Sequence, residues 1–141
     1  MAERLSPRLK AILEALPLAP GMRVLEVGCG PGALARAMSS AIGDVHVLGI
    51  DRSDRAIAQA IAGSRDEIAA ARLSFRTVAA EDFVIEPGEA PFDLVVAVRV
   101  GALDGRHPEA GARALPRLRT ALAPGGRIFV NGVEIPGKTP R

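Results

Sequence analysis

Apolar residues recur along this chain with two different periods. Short aliphatic and β-branched runs at Met22–Val27, Val45–Ile50, Leu73–Val78 and Phe92–Val98, and a last one that ends at Val130 after the Gly125-Gly126 turn, read as strands. Three of them (the first, second and fourth) are almost continuously apolar, as strands covered on both faces must be. Leu73, Phe75 and Val78 instead alternate with polar positions, which predicts a strand at a sheet edge. Between these runs the spacing becomes helical. Ser6-Pro7 has the form of an N-cap followed by proline at the first helical position, and Leu9, Ile12, Leu13 and Leu16 follow at helical intervals. Ala33–Ala41 is an alanine-rich helix stopped at Gly43. Asp54–Ala62 is a third, with Ile57 and Ile61 on one face, and Arg65–Ala71 a short fourth with Ile68 inward. Pro108–Leu122 reads as a helix with Ala112, Leu115, Leu118 and Leu122 inward, and Pro116 predicts a break or kink inside it.

Strands alternating with helices predict an α/β fold around a parallel sheet. At 141 residues the chain is one domain by length. Its expected parts are an N-terminal helix (residues 1–20), an α/β core (21–131) and a short tail (132–141). A formal net charge of +2 implies no electrostatic footprint for nucleic acid. With no Trp or Tyr, a platform of stacked aromatics for single strands is not expected either. Met1-Ala2-Glu3-Arg4 lacks a signal-peptide pattern, and no apolar run is long enough to span a bilayer, so a cytoplasmic protein is expected. The single cysteine, Cys29, agrees with a reducing compartment. Two histidines and one cysteine do not make a metal site.

The stretch that carries chemistry is Val24-Leu25-Glu26-Val27-Gly28-Cys29-Gly30-Pro31-Gly32. It reads as a buried strand running into a glycine turn and then a helix. Such a turn lets a ligand approach bare backbone, and the helix directs free N–H groups at it. Glu26 is an acid on an otherwise apolar strand. It would repel a pyrophosphate and favour a ligand presenting ammonium or hydroxyl groups. Asp51 closes the next strand, beside the turn, where one carboxylate can accept both hydroxyls of a ribose. Ser53 offers the cap of the following helix, which leaves Asp51 for a ligand.

Glu26-Val27-Gly28-Cys29-Gly30-Pro31-Gly32 resembles the E-x-G-x-G-x-G motif of the class I S-adenosylmethionine-dependent methyltransferases. The likeness covers residues 21–131. Phe92-Asp93-Leu94-Val95 is similar to that family's F-D-L-V strand, and Leu122-Ala123-Pro124-Gly125-Gly126 to its L-x-P-G-G turn. The resemblance implies a three-layer Rossmann-like sandwich with strand order 3-2-1-4-5. It implies S-adenosylmethionine as cofactor and S-adenosylhomocysteine as product. Glu26, Gly28, Cys29, Gly30 and Asp51 would surround the cofactor, with Arg52 near the adenine and Val98 and Arg99 at the methyl-transfer end. Ala79-Ala80-Glu81-Asp82-Phe83 is similar to the family's second acidic motif, with a departure: Ala79 stands where many members carry Asp. The adenine contact then falls to Ala80, Glu81 or Asp82. Phe83 packs on the base or fills the core. Asp93 is structural. The leading helix is expected near the methionine end, with Arg4, Arg8 and Lys10 on its solvated face.

His107 is the one candidate general base, because imidazole is the side chain suited to proton transfer near neutral pH; His46 lies too far back on its strand. No Asn-Pro-Pro-Tyr-like sequence follows the fourth strand, which speaks against transfer to amide or base nitrogens. The family's C-terminal antiparallel hairpin is expected to be missing, because Pro136, Gly137 and Pro140 disfavour a long strand. The fifth-strand edge would then be covered by the tail, a second copy of the chain or a partner protein, and Lys138–Arg141 would be mobile. The function expected is methyl transfer to a small, mostly apolar acceptor, without nucleic acid or membrane. A catalytically degenerate cofactor-binding subunit or regulator is the alternative, and an NAD-dependent oxidoreductase the third.

Overall fold

The computed structural model describes residues 5–137. In chain order these form α1 (Pro7–Ala15), β1 (Arg23–Val27), α2 (Ala33–Ile42), β2 (His46–Asp51), α3 (Asp54–Ala62), α4 (Arg65–Ala69) and β3 (Leu73–Thr77). A 3₁₀ turn (Ala80–Asp82), β4 (Phe92–Ala97), α5 (Pro108–Thr120), β5 (Leu122–Val130) and β6 (Val133–Ile135) complete the order. The expectations for Arg4 and for Lys138–Arg141 lie outside the described residues. One six-stranded sheet has the order β3-β2-β1-β4-β5-β6. Its first five strands are parallel, in the Rossmann-like order expected, and β3 is the edge strand.

The central strands explain the layers. On β1, Leu25 and Val27 point to one face with Leu48, Ile50, Val95 and Ala97, where α5, Ala80 and Phe83 cover them. Val24 points to the other face with Val47, Leu94 and Val96, where α1 and α2 bring Leu16, Leu34 and Met38. Phe83 is 1% exposed and meets the Phe92 ring at 6.1 Å, so it fills the core. Asp93 accepts a hydrogen bond from the Arg23 backbone at 2.9 Å, tying the starts of β1 and β4. Ser6 and Ser53 cap α1 and α3 as expected. Arg8 and Lys10 are exposed on α1, and no α1 residue lines the cleft described below.

Four details depart from the sequence reading. First, a C-terminal hairpin is present: β6 pairs antiparallel with β5, with Val130 opposite Val133. Its two-residue turn is Asn131-Gly132, both with positive φ (+51° and +82°). Asn-Gly is the sequence best suited to that turn, and it outweighs the prolines that follow. Part of the tail thus covers the β5 edge. The new edge is short and carries the Arg127–Glu134 ion pair at 2.7 Å, both features that discourage further pairing. Second, α5 continues through Pro116 without a break. Third, its buried stripe is Gly111, Ala114 and Leu118, while Ala112 is exposed and Leu115 half-buried. Fourth, Ile61 is 45% exposed, and Ala60 takes the inward place beside Ile57.

The shifted stripe on α5 has a steric cause. A Cβ at Gly111 would collide with the carbonyl oxygen of Ala102, so glycine lets the helix settle onto the loop after β4. Gly111→Ala is therefore expected to lower unfolding stability by about 1–3 kcal/mol despite its better helix propensity. Urea denaturation checks this; unchanged or raised stability would mean that the helix and loop can separate without cost.

Candidate functional site

The parallel strands all deliver their carboxyl ends to one edge of the sheet, and a cleft of about 710 Å³ lies there, the size of a small-molecule site. Val27 and Gly28 form its floor at the end of β1. Asp51 and Arg52 come from the end of β2, and Val78–Glu81 from the segment after β3. The loop after β4 (Arg99–Ala102) and the start of α5 (Arg106–Ala110, Arg113) close the other side.

Local physics sets the turn. Gly28 has φ +70°, and a Cβ there would sit 2.7 Å from Val100 Cγ2, so any side chain would strain the backbone and push away the β4 loop. The Cys29 backbone N–H donates to Ile50 O at 2.9 Å. The Gly30 N–H donates to Asp51 Oδ2 at 2.9 Å, and the Ser53 N–H to Asp51 Oδ1 at 2.9 Å. One carboxylate thus fixes the glycine turn to the end of β2. Each of its oxygens keeps a lone-pair direction for a further donor.

Glu26 lies beneath this turn, 3% exposed. The N-cap of α2 is Gly32, which has no side chain to cap the helix. The Glu26 carboxyl takes that place from the strand below, accepting the Ala35 backbone N–H. Its Oε1 is buried with no hydrogen-bond partner. Burial, then the nearby Asp51 charge, pushes its pKa from 4.5 to about 8; the Ala35 N–H and the Arg36 charge pull the other way. Cys29 is also buried under the turn, and burial with the Glu26 and Asp51 charges pushes its thiol up to about 12. That thiol is an inert packing group rather than a nucleophile.

Of the residues singled out in the sequence, the structure brings Gly28, Asp51, Arg52, Ala80, Glu81, Arg99 and His107 to the cleft. It does not bring Glu26, Cys29 or Gly30 to its lining; they lie beneath or within the turn. Val98 is half-buried on the α1–α2 face. Of the two acids after β3, Glu81 lines the cleft and Asp82 is exposed outside it. His46 bonds Ala71 O at 2.8 Å and Ser74 Oγ at 3.2 Å, a structural role. Sequence reasoning missed Val78, Ala79, Val100–Ala102, Arg106, Glu109 and Arg113. The general rule about strand carboxyl ends points to the loop after β4. No local signal marks the start of α5, which reaches the cleft only by packing. The expected apolar acceptor end is instead lined by arginines.

A Rossmann-like sheet with a glycine turn after β1 and a carboxylate closing β2 defines a nucleoside-binding α/β domain. Residues 24–126 match the family model described as "Methyltransferase domain". The chain belongs to that family, among the class I S-adenosylmethionine-dependent methyltransferases. It is 32% identical over 128 residues to a trans-aconitate 2-methyltransferase of Delftia acidovorans, covering 91% of this chain and 44% of the relative. It is 33% identical to a ubiquinone biosynthesis O-methyltransferase of Xylella fastidiosa, covering 90% of this chain and 48% of that one. A S-adenosylmethionine-dependent methyltransferase from Geobacter sulfurreducens, crystallised with S-adenosyl-L-homocysteine, superposes with TM-score 0.69 at 27% identity. That match covers 89% of this chain and 48% of the other. The chain spans less than half the length of these relatives.

The raised pKa of Glu26 has a sign that can be worked out. Between about pH 4.5 and 8 the folded chain holds a proton that the unfolded chain has released. The stability contributed by the neutral acid is therefore complete below the lower value and lost as pH rises to the upper one. Glu26→Gln keeps a neutral side chain, so its thermal midpoint is expected to fall less than that of the parent protein between about pH 5 and 8. Parallel midpoint-against-pH curves for the two proteins would show that Glu26 is ionised in the fold.

Proposed function

We propose that this chain binds S-adenosylmethionine in the cleft and transfers its methyl group to a small-molecule acceptor. The observation that carries the reading is Asp51: a carboxylate held by Gly30 and Ser53, facing the cleft beside a bare glycine turn. The residues present fit the cofactor chemically. Asp51 has acceptor capacity left for two ribose hydroxyls. Glu26 lies beneath the turn rather than in the lining, with its Oε1 unpartnered. Arg52, Ala80 and Glu81 flank the β2–β3 end, where the adenine would lie. Relatives crystallised with S-adenosylmethionine or S-adenosyl-L-homocysteine support the same reading.

When bound, the cofactor supplies an electrophilic methyl carbon whose bond to sulfur breaks as a lone pair of the acceptor bonds to it. The work left to the chain is orientation and exclusion of water. The Gly28 turn and Val100 shape the floor at that end, and α5 walls it off. His107, which lines the cleft, is the candidate to take a proton from a hydroxyl acceptor. Among the described residues no helix is long and apolar enough to cross a membrane. The reading includes a cytoplasmic location, supported by the single free cysteine.

Calorimetric titration with S-adenosylhomocysteine tests this reading. Binding near the micromolar range is expected, and Asp51→Ala should weaken it at least about tenfold, about 1.4 kcal/mol, with the far-ultraviolet spectrum unchanged. No binding by the intact chain, or equal binding by the variant, would overturn the assignment.

A further inference from the structure

Several arginines line the cleft, and acids pair with some of them but not all. Arg99, Arg106, Arg113 and His107 line the side of the cleft formed by the β4 loop and the start of α5, with Glu109 beside them. Two of the arginines are engaged. Arg106 is held by Asp104 at 2.9 Å and donates to the Arg99 carbonyl at 2.8 Å. Arg113 faces Glu81 at 3.8 Å. The Arg99 guanidinium, by contrast, makes no hydrogen bond or ion pair with any described residue.

The backbone of Arg99 is nevertheless among the most constrained on this edge. Its φ is +54°, a left-handed conformation uncommon for a non-glycine residue. Three contacts impose it. The Arg99 N–H donates to Asn131 Oδ1 at 2.9 Å, its carbonyl accepts from Arg106, and the Asn131 N–H donates to Ala97 O at 2.9 Å. The β5–β6 turn thus clamps the end of β4. Such conformations cost free energy and persist where neighbouring structure over-determines them. The amino end of α5 opens on the same end of the cleft, and its first turn has no side-chain cap.

Resting on the cofactor reading above, we infer that Arg99 is a specificity-determining residue that anchors a carboxylate of the acceptor, so that the acceptors are small carboxylic acids. The resemblance counts Arg99 among the cofactor contacts at the methyl-transfer end, and the sheet sets it apart from the ribose acid. Asp51 ends β2 and Arg99 follows β4, on opposite sides of β1. The two strand ends are about 10 Å apart at ordinary strand spacing. Arg99 therefore lies past the glycine turn from the ribose side. A guanidinium suits a carboxylate because two parallel N–H bonds match its oxygens.

The cofactor's own carboxylate is the competing source of the same chemistry, and the experiment separates the two. Protein saturated with S-adenosylhomocysteine is titrated with short di- and tricarboxylic acids and with their full methyl esters. At least one acid is expected to bind about tenfold or more tightly than its ester. Arg99→Asn, whose side chain tolerates the left-handed backbone, should weaken that acid about tenfold or more while S-adenosylhomocysteine affinity stays within about threefold. Arg99→Lys should retain part of the acid binding, because it keeps the charge. Failure of every acid to outbind its ester overturns the inference, as does an Arg99→Asn variant with undiminished acid affinity. Loss of S-adenosylhomocysteine affinity in that variant also overturns it and gives the residue to the cofactor's carboxylate. Absence of S-adenosylhomocysteine binding by the parent protein instead removes the cofactor reading itself.

Discussion

One carboxylate holds the ligand edge of this sheet together. Asp51 accepts N–H groups from Gly30 and Ser53, so the glycine turn after β1 and the turn into α3 are both fixed to the end of β2. Without that clasp the turn is a run of glycines with little of its own to hold it, and the entropy of ordering it would be unopposed. The same two oxygens remain able to accept from outside. Structural and ligand duties are thus compatible on one group, because each carboxylate oxygen has two acceptor directions.

Beneath the clasp, Glu26 shows how an acid comes to be buried in a parallel sheet. The helix that opens at Gly32 lacks a side-chain cap, and the strand below supplies one. One oxygen meets the Ala35 N–H while the other stays without a partner. Burial of an unsatisfied acid favours its protonated form, and the Asp51 charge close by adds to the effect. A cation delivered to the turn would relieve both penalties.

The far end of the sheet answers to a different constraint. Asn131 turns the β5–β6 hairpin with its backbone and holds Arg99 with its side chain. A hairpin that covers an edge strand thereby also shapes the rim of the cleft. Edge protection and cleft geometry are coupled through one residue, so changes at the hairpin reach the rim of the cleft through Arg99.

Much of the architecture was legible in local sequence. The strands and helices, the glycine turn, the Ser6 and Ser53 caps and the position of Asp51 follow from hydrophobic period and turn chemistry, which act over a few residues, while the strand order and the role of Asp93 came from the family resemblance. The short hairpin, expected to be missing, is encoded in Asn131-Gly132, a turn signal that needs only those two residues and that the following prolines do not cancel. The buried stripe of α5 was not legible, because helical spacing alone does not tell which of two nearby faces packs. The close approach of Gly111 to Ala102 chooses it. Nor does sequence separate Glu81 from Asp82, or place Arg106 and Arg113 at the cleft, since that depends on where a helix far along the chain comes to rest. The sequence by itself determined a parallel α/β domain with an acid-flanked nucleoside turn, because those features are written in periodicity and short motifs. Only the tertiary structure decided which charges face the ligand, because opposing walls of the cleft come from segments that meet only when the sheet and its two layers have packed.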